Sequence, residues 1–290
     1  MTQIIAVITQ NFVTIVSDRR LSYLSEDGSF MRVKTDNECK LVSLCEHSCI
    51  AYTGLAELEE IATHKWIALT LKNHKCIDGW LAGKILSEES KKALIDVNKS
   101  YSHMTFLITG WKHTDKGLLP YMLRISNAYN HDDSWNTFAT NDFRYKLVYL
   151  LPDEILESMV VGVPLKRAQT HRLQRSLRKS AIERSLPSAT LEFISQEIIA
   201  SSSSGSCMVG KKVLGATIPK NQILEAKNKG MYFIGHHPPN YLRSTFTYYD
   251  ENSDGLVVYG PTFICGNTAM TDFEGASERN GINSVSFTLL

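Results

Sequence analysis

Apolar side chains recur along this chain in two rhythms, and the change from one to the other marks the elements. Residues 3–8 (QIIAVI) and 12–17 (FVTIVS) are rich in β-branched residues and are split by the polar triplet Thr9-Gln10-Asn11, which predicts a hairpin. Both faces of each run are apolar, so their sheet should be covered on both sides. Residues 24–38 are polar, hold the turn signal Asp27-Gly28, and read as a long hairpin loop. Two more strands are expected at 39–45 (CKLVSLC) and 48–53 (SCIAYT), the second ended by Gly54.

From there Leu55, Leu58, Ile61, Ala62, Trp66 and Leu69 fall on one stripe at helical period, predicting a helix over about 55–72. A second helix is expected over about 78–98. Strands return at 103–111 and 117–126, joined by the polar turn Lys112–Lys116. A short strand at 135–140 precedes a long helical region, about 142–200, interrupted near Pro152, Pro164 and Pro187. Another strand is expected at 207–218. Residues 219–290 are less regular, with HHPPN at 236–240, the turn Asn252-Ser253-Asp254-Gly255, and a strand-like run at 256–265. Runs of strands alternating with runs of helices predict a layered α+β sandwich rather than βαβ units.

Composition narrows the classes. The chain has 290 residues, is 43% hydrophobic and carries a net charge of +1, enough for a substantial core and with no demand for a nucleic-acid or membrane partner. No run approaches a spanning helix and no export signal opens the chain, so a soluble, cytoplasmic protein is expected. The six cysteines form no CxxC pair and read as reduced thiols, with Cys45 and Cys49 in core packing rather than in a metal half-site. His236 and His237, beside Pro238-Pro239, suit a rigid surface loop better than a metal site. Arg167, His171, Arg175 and Lys179 recur every four positions and form a basic stripe, either a solvated helix face or a contact for an acidic neighbouring subunit. Without interleaved aromatics, the stripe gives no support for nucleic-acid binding.

The chemistry gathers near the N-terminus. Thr2 follows Met1, and a small second residue permits methionine excision. A free N-terminal threonine carries nucleophile and base together, because its hydroxyl can attack a carbonyl while its amine takes the proton. A hairpin sets the end of its second strand beside the start of its first, which places Asp18 near Thr2. Lys40 opens the next strand and is expected at the same end of the sheet. An ammonium there would favour the alkoxide, Asp18 would orient it, and the N–H of Gly54 at a strand-to-helix junction would serve a developing oxyanion.

These residues resemble the β-type proteasome subunits and their bacterial relatives, within the N-terminal nucleophile hydrolases. The opening T-x-I, the run VTIVSDRRLS and the run CKLVSLCEHSCIAYTGLAEL carry the resemblance, with Thr2 and Asp18 separated by 16 positions and Lys40 and Gly54 by 14, as in that family. The likeness is strong to about residue 72 and looser to 218. It implies a four-layer αββα sandwich over 1–218, with 219–290 as a C-terminal extension packed on the same domain. It implies a threonine-type peptidase or amidohydrolase acting on peptide or protein substrate, with no metal or organic cofactor, assembled into a ring-like or related homo-oligomer. Thr2 would be the nucleophile, Lys40 and Asp18 its activating pair, Gly54 the oxyanion donor, and Arg20 a structural support. The family places an aspartate three residues before a Ser-Gly close to the amine. Here Ser204-Gly205 fits and Ser201 stands where the aspartate belongs. That departure favours the alternative, a catalytically inactive assembly or binding protein on the same fold. A small-molecule amidase is a third reading.

Overall fold

The computed structural model describes residues 2–24, 30–44, 47–74, 78–95, 102–115, 117–130, 132–136, 138–182, 187–203, 207–220, 256–259, 262–265, 268–278 and 281–290. The chain opens with a tight hairpin, β1 (Gln3–Thr9) and β2 (Phe12–Asp18), followed by the ribbon β3 (Leu21–Leu24) and β4 (Phe30–Thr35). Strands β5 (Leu41–Leu44) and β6 (Ser48–Gly54) lead into a two-residue pair, β7 (Glu57–Leu58) and β8 (Ile61–Ala62), and then α1 (Thr63–Leu71) and α2 (Gly79–Ala93). The middle holds β9 (Met104–Thr114), β10 (Gly117–Ser126), β11 (Arg144–Tyr149) and β12 (Leu156–Gly162). Helices α3 (Arg167–Ile182) and α4 (Pro187–Ser203) precede β13 (Val213–Pro219), and β14 (Leu256–Tyr259), β15 (Thr262–Cys265), β16 (Thr268–Glu278) and β17 (Gly281–Leu289) close the chain.

The result is a mixed α+β fold. One antiparallel sheet runs β12-β1-β2-β13, and a nine-stranded sheet runs β11-β10-β9-β6-β5-β15-β16-β14, with β17 on β16. Every residue of β1 and β2 is buried, and their alternation sends side chains two ways. Ile4, Ala6, Ile8, Val13 and Ile15 pack with Leu41, Ala51, Leu107 and Met122 of the larger sheet. Ile5, Val7 and Val16 pack with Leu173 and Leu177 of α3 and Ile194 and Ile198 of α4. The opposite face of the larger sheet, with Val42, Ile50, Phe106 and Ile108, packs on Trp66, Ile67 and Leu71 of α1 and Leu86 of α2. Each fully buried Ile, Leu or Val contributes about 1.5–3 kcal/mol, so β1 is fixed from both sides.

Several elements differ from the sequence expectation. The polar stretch 24–38 contains β4, paired with β3 through two register shifts; a solvent-facing ribbon needs no apolar stripe. The helix expected from 55 begins at Thr63, because Glu59 and Glu60 take φ values of 50° and 63° and turn β7 back on β8. The apolar stripe there suits a short pair as well as a helix, and long-range packing decides between them. No strand runs through 135–140 among the described residues; Tyr129 and Trp135 make an isolated bridge instead. Two strands, β11 and β12, occupy the front of the region expected to be helical. The described residues within 256–289 form strands: β15 pairs in parallel with β5 and β16 pairs with β15, β14 and β17. The turns at 27–28 and 252–255 and the pair His236, His237 lie outside the described residues.

Candidate active site around Thr2

Thr2 sits immediately ahead of β1 and is 4% exposed. Its carbonyl accepts from Val163 N–H at 2.9 Å, beyond the end of β12, and its own N–H donates to Thr53 Oγ1 at 3.2 Å. The register of β1 on β2 pairs Ile4 with Ser17, which brings Asp18 opposite the chain just past Thr2. Asp18 is completely buried and its carboxylate is well satisfied. Oδ1 accepts from Gln3 N–H at 2.8 Å, and Oδ2 accepts from Arg20 N–H at 2.9 Å and Gly210 N–H at 3.2 Å. Three backbone donors hold the carboxylate in place.

Lys40 immediately precedes β5, is 1% exposed, and aims its ammonium at Thr2. Its Nζ donates to Thr2 Oγ1 at 2.5 Å, lies 3.5 Å from Asp18 Oδ2, and also donates to the carbonyl of Arg20. Burial pushes the Lys40 ammonium below the ordinary lysine range, and the facing Asp18 carboxylate offsets part of that push. A buried cation without such partners would simply lose its proton.

Arg20 supports the cluster through its backbone. Its N–H holds Asp18 and its carbonyl holds Lys40, whereas its guanidinium turns away to grip Asp36 at 2.7 and 3.0 Å and Cys207 O at 3.1 Å. The Asp36 partnership raises the Arg20 pKa and holds the Asp36 carboxyl below the usual range.

Gly54 ends β6 at φ 124°, and a Cβ there would fall 2.0 Å from His103 O, so only glycine fits. Tyr52 N–H reaches toward Lys40 O at 3.4 Å. Alternate N–H groups of a strand face the same side, so Gly54 N–H also faces the β5 side, at a level β5 has not yet reached. The four positions Thr2, Asp18, Lys40 and Gly54 thus converge on one end of the two sheets.

Sequence reasoning overlooked three neighbours. Thr53 receives the Thr2 N–H, and its signal was only its place beside Gly54. Gly162 has φ 81°, and a Cβ there would lie 1.8 Å from Thr2 O and 3.4 Å from Thr53 Oγ1. Tyr129 Oη accepts from Gly162 N–H at 3.1 Å. The strand-ending Gly-Val-Pro at 162–164 was the available signal for that wall, hidden by reading the region as helical.

Ser204 lies outside the described residues. Ser201 is buried in α4, where its hydroxyl accepts from Gln169 Nε2 at 3.1 Å and donates to Glu197 O at 3.0 Å. On α3, Arg167, His171, Arg175 and Lys179 are all exposed, opposite the buried Leu173 and Leu177. Arg172, on the same helix, forks onto Glu197 of α4 at 2.5 and 2.7 Å.

Among the described residues no group of three His, Cys, Asp or Glu side chains is placed to hold a metal, and no helix is long and apolar enough to cross a membrane. A cavity of about 310 Å³ between the end of α2 and residues 139–143 includes none of the residues around Thr2. The chain matches no family model and no curated protein sequence.

Proposed function

We propose that the chain is an N-terminal threonine hydrolase cleaving peptide or amide bonds, built as a four-layer αββα sandwich of the N-terminal nucleophile type. The observation that carries this is the Lys40 ammonium on Thr2 Oγ1 with Asp18 behind it. That geometry lowers the cost of forming an alkoxide at Thr2. The order of packing, helices on sheet on sheet on helices, supports the fold part of the proposal.

In this mechanism Thr2 is the mature N-terminus. Its Oγ1 attacks the substrate carbonyl while its α-amine takes the hydroxyl proton, directly or through one water. An unperturbed α-amine titrates near 7.7–8.0, and a neighbouring ammonium favours its neutral form. Thr53 Oγ1 suits both states of the amine, accepting from the ammonium and donating to the neutral nitrogen. The Gly54 N–H faces the gap in front of β5 and stabilises the oxyanion of the tetrahedral intermediate. Collapse expels the amine leaving group, protonated by the Thr2 ammonium, and leaves an ester on Oγ1. Water, deprotonated by the same amine, then releases the acid.

A second reading retains the fold without the chemistry: an inactive protein that uses it for assembly or binding. Ser201 favours it, because that position contributes no carboxylate near the amine and spends its hydroxyl within the helix pair. Under either reading we propose a cytoplasmic protein that associates with further copies of itself. The basic face of α3 is a candidate contact.

Hydrolysis of peptide amides and small amides by purified protein, with Thr2→Ala as control, separates the alternatives. The hydrolase predicts turnover of the peptides that falls about 10³-fold or more in Thr2→Ala. Equal rates in both proteins contradict it. Preference for small amides moves the assignment to an amidase.

A further inference from the structure

Behind the two glycines next to Thr2 the surroundings are aromatic. Gly54 and Gly162 flank Thr2, and each is backed by residues of the segment 102–136. Gly54 abuts the His103 backbone, and Gly162 N–H is held by Tyr129 Oη. Trp135 joins these two supports. Its ring stacks on His103 with centroids 4.9 Å apart and meets Tyr129 edge-on at 5.3 Å.

Each part of this wall is fixed. The Arg124 guanidinium lies 4.1 Å from the Tyr129 ring centroid and pairs with Asp133 of the same loop. Tyr129 and Trp135 share a backbone bridge, and His103 Nε2 lies 3.0 Å from Asn136 O. Tyr129 is buried, yet Trp135 remains 39% exposed. A rigid, half-exposed indole held against the two residues that back Gly54 and Gly162 is an arrangement from which an aromatic side chain gains most, since no ordering cost remains to be met.

We infer that Trp135, backed by His103 and Tyr129, forms a side-chain subsite of the Thr2 centre and selects peptide substrates carrying an aromatic residue close to the scissile bond. The inference rests on the hydrolase function proposed above. The substrate carbonyl lies between Thr2 Oγ1 and Gly54 N–H, the chain on one side of it passes Gly54 and Gly162, and its side chain packs against the exposed face of Trp135. Trp135 determines specificity and takes no part in proton transfer.

The test is a set of tetrapeptide coumarylamides in which one Phe is walked through an Ala background. The wild-type protein should favour Phe over Ala at one position by about 10-fold in kcat/KM. Trp135→Ala should erase that preference, and Trp135→Phe should retain it. No preference at any position, or an equal preference in Trp135→Ala, overturns the subsite and leaves the hydrolase standing. The same uncleaved peptides are titrated into Thr2→Ala while the Trp135 indole N–H resonance is followed, assigned through Trp135→Phe. A saturable shift with the Phe peptide and none with the all-Ala peptide supports the subsite even if no amide is hydrolysed, a result that would count against the proposed function alone. Absence of that shift overturns the subsite, and this arm does not depend on Trp135→Ala folding.

Discussion

Thr2 is held between two unlike sides of the molecule. On one side stand Asp18 and Lys40, completely buried charges within 38 residues of Thr2, satisfied by each other and by backbone groups. On the other stand Gly54, Gly162 and Tyr129, which contribute close backbone approach and ring surface but no charge. The β1–β2 hairpin sets Asp18 beside the start of β1, and Lys40 reaches them from the start of β5 in the facing sheet. In the second set Gly162 depends on pairing β1 with β12, 147 to 159 residues apart in sequence, and Gly54 ends β6 of the larger sheet. In the proposed mechanism the ionic side activates a nucleophile, and the uncharged side shapes the space in which a substrate would lie.

Substitutions on the two sides should fail in different ways. The largest expected effect is at Asp18. Asp18→Ala strands the N–H groups of Gln3, Arg20 and Gly210 and removes the anion facing a buried lysine, so unfolding free energy should fall by about 3–5 kcal/mol in denaturant titration. A loss under 1 kcal/mol would mean that the carboxylate is not the anchor its contacts imply. Gly162→Ala comes next. It places a methyl 1.8 Å from Thr2 O at a φ of 81°, at a cost of about 2–4 kcal/mol from strain and overpacking. Because the displaced atom belongs to Thr2, activity should drop further than stability alone explains.

The smallest effect is a pH dependence confined to the ionic side. The folded-state pKa of Lys40 is lowered, chiefly by burial. Between that value and the ordinary lysine value near 10.4, the unfolded chain binds more protons than the folded one. Stability attributable to Lys40 therefore rises with pH through this window, and its burial penalty is full only below the folded-state value. Activity should move the opposite way, falling as the cation beside Thr2 Oγ1 loses its proton. Subtracting the stability profile of Lys40→Met from that of wild type isolates the lysine; a flat difference across the alkaline range would contradict the lowered pKa.

The two sides also differ in how far they were legible in the sequence. Asp18, Lys40 and Gly54 stand at the ends of short apolar runs, and the end of a run is where a hairpin turns its residues toward its neighbours. The runs RYKLVY and LESMVVG, which form β11 and β12, mix charged and apolar residues. Only the β-branched pair Val160-Val161 and the following Gly162 argued for a strand. Tyr129 and Trp135 sit in the polar sequence SNAYNHDDSW, where two aromatics look incidental until long-range pairing brings them together. The start of α1 was hidden by a stripe that suits both periods, with the left-handed Glu59 and Glu60 as the feature no apolar pattern encodes. Arg20 meets Asp18 and Lys40 through its backbone N–H and carbonyl, a contribution invisible to residue type.

The central claim is that Thr2 Oγ1, supported by Lys40, is a nucleophile at a free N-terminus. Intact-mass measurement before and after exposure to an electrophile selective for N-terminal threonine tests it most directly. The account predicts a mass lacking Met1 and a single adduct that disappears in Thr2→Ala. A protein that keeps Met1 throughout and forms no adduct would contradict it and leave the non-catalytic reading.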